Sequence, residues 1–129
     1  MRPDERGESG SAVVEFALLL PILLLLLLAV VQVGVLASDR LLLAQAARAG
    51  AREAAVQELD EAVREAATAA GAGLDPERLR LEVARTGSRG SPVTVSLSYD
   101  VPIVGLLAGW LLPSTVTIST VATARQEFG

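Results

Sequence analysis

The sequence predicts an α+β protein. An N-terminal transmembrane helix continues into a long amphipathic helix, which packs on a small three-stranded antiparallel sheet. Three observations carry this expectation. Residues Ala12 to Ala37 form an almost unbroken apolar run, and the stretch after it spaces its apolar residues as a helix does. From Leu79 onward the spacing shortens to every second residue. The 129 residues divide accordingly into a hydrophilic leader (1–10), a transmembrane helix (11–38) and an α+β domain (39–129).

The anchor rests on length and composition. Only Glu15 and Gln32 bring polar side chains into the 26 residues from Ala12 to Ala37. As a helix that run is about 39 Å long, more than the roughly 30 Å of a bilayer's hydrocarbon core. A helix buried in a soluble core of this size would not carry Leu on every face. Pro21 removes one backbone hydrogen bond inside the span, a defect that neighbouring groups in a membrane can compensate.

The second helical stretch runs from Arg40 to Ala70 and is rich in Ala, Leu, Glu and Arg, all good helix formers. Leu59, Ala62, Val63, Ala66, Ala67 and Ala70 fall on one face. Glu58, Asp60, Glu61, Arg64 and Glu65 occupy the other side, where Asp60 and Arg64 read as a solvated i,i+4 ion pair rather than as a metal or acid–base site. Ser38-Asp39 and Gly50 are candidate bends. Gly71-Ala-Gly73 ends the helix, and Asp75-Pro76 begins a turn or one helical turn.

The sheet follows from alternation. Leu79, Leu81 and Val83 alternate with Arg80, Glu82 and Ala84. After a turn at Gly87–Ser91, Val93, Val95, Leu97, Tyr99 and Val101 alternate with polar residues. Ser114 to Phe128, rich in Val, Thr and Ile, supplies the third strand. Between the second and third strands lies Pro102–Pro113, ten apolar residues between prolines, too short to cross a bilayer as a helix. Gly105, Gly109 and Trp110 make this segment a candidate partner surface; a loop capping the sheet core is the plainer reading.

Composition excludes several function classes. The chain has no Cys and no His, so disulfides, thiolate nucleophiles, imidazole bases and the common zinc ligand sets are ruled out. Net charge is −4 and the basic residues are scattered, the reverse of the clustered positive charge that nucleic-acid binding uses. No catalytic residue, cofactor or metal is expected, and the protein reads as a structural component rather than an enzyme.

The function-bearing feature is the boundary at residues 10–16. A short hydrophilic leader ends in Gly10 immediately before the apolar run, and Glu15 and the aromatic Phe16 follow within two turns. A carboxylate inside an apolar span costs about 1–3 kcal/mol and persists when something compensates it. Taken alone, Glu15 also fits the water-facing entry of an ordinary helix.

The arrangement resembles a type IV prepilin or pseudopilin processing site. That resemblance implies cleavage after Gly10 by a membrane prepilin peptidase, leaving Ser11 as the new N-terminus and Glu15 as the fifth residue of the mature chain. The freed amine of Ser11 on one subunit would then neutralise Glu15 on the next. The wider stretch from Gly7 through Val13-Val14-Glu15-Phe16-Ala17 to Pro21 and its Leu-rich continuation is similar to the TadE-like family of tight-adherence pilus assembly proteins. Gln32 departs from that family's pattern, in which an acidic residue often precedes a glycine such as Gly34.

The resemblance implies a pilin-like fold, a cytoplasmic N-terminus and an extracytoplasmic C-terminal domain. It also implies a minor pilin or pseudopilin role in a pilus assembly or secretion machine. Its partners would be the lipid bilayer, other pilin-like subunits and pilus-assembly membrane components. Counting flanking Arg residues alone would reverse this orientation, since Arg40, Arg48 and Arg52 outnumber Arg2 and Arg6. Two other products remain open on the residues. One is a secreted binding domain released by signal peptidase after Ala37, where Val35 and Ala37 satisfy the small-residue rule. The other is an unprocessed single-pass scaffold.

Overall fold

The computed structural model describes residues 5–105, 109 and 112–128, with side chains from residue 10 onward. The elements run α1 (Glu5–Val56), α2 (Asp60–Ala70), a 3₁₀ turn at Pro76–Arg78, β1 (Leu79–Arg85), β2 (Pro92–Pro102) and β3 (Thr115–Arg125). This is the expected α+β order. The chain forms two compact units that divide between Gly34 and Val35.

The first unit is helix alone. α1 is long and apolar enough to cross a membrane once, and it stays helical through Pro21. Phe16, Leu20, Leu24 and Leu27 are all exposed, as is every residue from Ser11 to Leu27. Apolar surface of that extent has no place in water and is what a lipid environment covers.

The second unit is a helical layer against a sheet. Leu43, Ala46, Ala47, Gly50, Ala51, Ala54 and Ala55 of α1 are buried, at helical spacing along one stripe. Most of this stripe is Ala or Gly, so the helix comes close to what it covers. A Cβ on Gly50 would sit 3.4 Å from both Ala67 and Val95. From α2 the core takes Val63 and Ala67, and from β2 it takes Val93, Val95, Leu97, Tyr99 and Val101.

The sheet is an antiparallel meander in the order β1-β2-β3. The alternation foreseen in β2 holds at every position: the apolar residues from Val93 to Val101 are buried and their neighbours are not. β1 and β3 are the edges, so their inward residues are mostly half-buried. Gly87 and Gly90 in the intervening turn have φ of 105° and 86°, a region glycine enters without strain.

Three sequence expectations need correction. α1 continues unbroken out of the apolar run through Ser38-Asp39 and Gly50, as expected, but the helical stretch foreseen to Ala70 is interrupted at Gln57–Leu59. These are ordinary helix formers, so tertiary contacts set the break. The backbone N–H of Glu127 donates to the Ala55 carbonyl at 2.8 Å, and Arg85 Nη2 donates to the Gln57 carbonyl at 3.3 Å. Carbonyls freed at the helix end therefore find partners outside it. Leu59 consequently leaves the apolar face and is 69% exposed. Asp60 pairs with Arg85 of β1 at 2.5 Å rather than with Arg64.

α2 ends as expected before Gly71, but not for the usual backbone reason. Gly71 has φ of −98°, open to any residue, whereas a Cβ there would lie 3.2 Å from the Ala46 Cβ. Glycine therefore eases the close approach to α1, where an added Cβ would crowd Ala46. At Asp75-Pro76 the chain makes the single helical turn foreseen, with Asp75 Oδ1 accepting from the Glu77 N–H at 3.0 Å.

Candidate assembly site at the start of the apolar helix

Gly10, Ser11, Glu15, Phe16 and Pro21 all lie within α1, so their relative positions follow helical geometry. Ser11 stands one turn below Glu15, and its Oγ donates to Glu15 Oε1 at 3.3 Å. Phe16 is adjacent and 60% exposed. An ionised carboxylate offers about four acceptor sites, and one hydroxyl answers only one of them. In an apolar surrounding the group calls for a cation or further donors.

Gly10 is the informative position. Its backbone is helical, its φ lies outside the left-handed region, and a Cβ built on it would meet nothing within 4 Å. A glycine inside a helix is less favourable than Ala by about 1 kcal/mol. Among the described residues nothing calls for glycine at residue 10. Gly71, Gly87 and Gly90 each have a steric or conformational reason; Gly10, like Gly34 farther along the same helix, has none.

The β2–β3 connection gives a different picture. Gly105 and Gly109 have φ of 122° and 83°, so backbone conformation explains both glycines. The Ile103 N–H donates to the Ser114 carbonyl and the Gly109 N–H to the Leu112 carbonyl, each at 2.9 Å. Val104 and Leu112 are exposed. Trp110 lies outside the described residues.

Asp39 is the first charged residue after the apolar run, and burial pushes its carboxyl above the usual aspartate range. Elsewhere, an open groove of about 400 Å³ runs between α1 and β3, floored by Ala51, Ala55, Ala122 and Ala124 and bordered by Arg48, Arg52, Arg125 and Glu127. Sequence reading missed this groove. The Arg48/Arg52 spacing was visible, but nothing local brought Arg125 beside it.

No curated protein and no solved structure matches the chain. Residues 10–52, about a third of its length, match the family model described as TadE-like protein, the family that the Gly7–Pro21 pattern resembles.

Proposed function

We propose that this protein is a minor pilin or pseudopilin-like structural subunit of a tight-adherence pilus assembly or secretion machine. It is cleaved after Gly10 by a prepilin peptidase and anchored by the apolar half of α1. Its N-terminus is cytoplasmic, and the α+β domain from Asp39 onward is extracytoplasmic. Its role is structural, with no reaction of its own.

The observation that carries this reading is the pairing of Gly10 with Glu15. Among the described residues Gly10 has no steric or conformational requirement, a trait it shares with Gly34; what sets Gly10 apart is its place directly before the apolar run, five residues ahead of Glu15. Glu15 is an exposed carboxylate in an apolar helix, with the Ser11 hydroxyl as its one hydrogen-bond partner among the described residues. Cleavage after Gly10 would create an ammonium group at Ser11. That charge can neutralise Glu15 of a neighbouring copy where water is scarce and ion pairing is strong. The TadE-like match over 10–52 supports the same assignment.

Intact mass and N-terminal sequencing of the membrane-extracted protein test it. The expected product has 119 residues, Ser11 to Gly129. A product beginning at Met1 overturns the processing, and a lipid-free product beginning at Ser38 overturns the anchor as well.

A further inference from the structure

The second unit carries two charged surfaces at opposite edges of its sheet. Along the β3 edge, the Ala-floored groove is bordered by Arg48, Arg52 and Arg125, with Glu127 as its one acidic residue. At the β1 edge, α2 is tied to the sheet through Asp60 and Arg85; it presents Glu61 and Glu65 to solvent with Arg64 between them, and Glu58 in the preceding break is exposed beside them. Three cations and one anion thus face outward at one edge, and three anions and one cation at the other.

Spacing matches as well as sign. Arg48 and Arg52 are one helical turn apart and exposed, as are Glu61 and Glu65. Residues at i and i+4 on a helix lie about 5–6 Å apart, so one pair can face the other without distortion. Four of the groove's lining residues are alanines, so an approaching helix face meets short side chains there.

We propose that the α2 face of one copy docks in the α1–β3 groove of the next, setting Glu61 and Glu65 against Arg52 and Arg48 and Arg64 against Glu127. The two surfaces differ, so the contact is head-to-tail. Such a contact propagates into a ring or an open fibre rather than stopping at a dimer. It rests on the reading above only in requiring copies that share a membrane, and it is independent of Glu15.

Charge reversal in the full chain tests the contact, with self-association measured by sedimentation in neutral detergent micelles. Wild-type protein is expected to associate, and less so as salt rises. R48E/R52E places acid against acid and E61R/E65R places base against base, so each variant alone should associate at least about tenfold more weakly. Mixed together, the two variants present complementary surfaces at both edges and should recover association.

Recovery in the mixture also shows that both variants are folded. A monomeric wild type, single variants that associate like wild type, or a mixture that fails to recover overturns the contact. If R48E/R52E instead loses only binding to phosphatidylglycerol vesicles, the groove is a lipid headgroup site and the proposal is wrong. A parallel Glu15→Gln chain separates the two readings, because it should keep this salt-sensitive contact even if register in the membrane is lost.

Discussion

The Arg85 guanidinium holds Asp60 at 2.5 Å and the Gln57 carbonyl at 3.3 Å, so one side chain of β1 fixes both ends of the break between α1 and α2. Asp60 also stands in the first turn of α2, where a negative charge suits the helix dipole.

The two partners should differ in their worth to stability. Asp60 is largely exposed, so Asp60→Ala should cost about 0.3–1 kcal/mol. Arg85→Met removes both contacts and should cost about 1–2 kcal/mol. Arg85→Lys should recover only part of that, since an ammonium lacks the fork that reaches two acceptors. Urea denaturation of the full chain in micelles measures all three.

Across the outer face of the sheet, Asp100 accepts from Arg80 of β1 and from the Thr117 hydroxyl of β3 at 2.6 Å. One carboxylate therefore links all three strands. Asp100→Ala should lower stability by about 1–2 kcal/mol, and hydrogen exchange should quicken in both edge strands rather than in β2 alone.

Gly50 lies where α1 packs closely on Ala67 and Val95. Gly50→Ala should be tolerated, because its Cβ meets neighbours at ordinary contact distance and alanine favours the helix. Gly50→Leu should cost about 1–3 kcal/mol through overpacking. Equal melting temperatures for the two variants would mean that the helix is not held against Val95 and Ala67.

Burial raises the Asp39 carboxyl, so its ionised form is disfavoured in the folded chain. The sign follows directly. The folded state holds this proton more tightly than the unfolded state, so the group's contribution is most favourable in acid and is lost as pH rises through the folded pKa. Asp39→Asn should therefore melt higher than wild type at pH 7, with the gain gone near pH 3 if the two melting curves are compared.

Glu15→Gln keeps size and hydrogen-bonding capacity but removes charge. Pilus assembly in cells should fall sharply while the chain remains membrane-bound and folded by circular dichroism. Normal assembly with this variant would mean that no neighbouring ammonium pairs with Glu15.

The sheet was legible in the sequence because alternation is local: each inward residue of β2 is two positions from the next, and Val93 to Val101 are all buried. The third strand was legible through its Val, Thr and Ile content. The helical break was not, because Gln57-Glu58-Leu59 carries no stop signal. What ends α1 is Arg85 and Glu127, distant in sequence and adjacent only after folding. The same distance hid Asp60's partner and put Leu59 on the wrong face. Of the assembly site, Gly10 and Glu15 were visible as a pattern. That Gly10 has no steric reason to be glycine became visible only with backbone and neighbours in place.

At its far end α1 is gripped twice, by the Glu127 N–H at Ala55 and by Arg85 at Gln57. The first grip belongs to the segment that continues β3, and the second to β1. A pull delivered along the helix therefore reaches both margins of the sheet together, and β2 between them is held by hydrogen bonds on either side. Tension along the helix would thus divide between the two edge strands in place of falling on one.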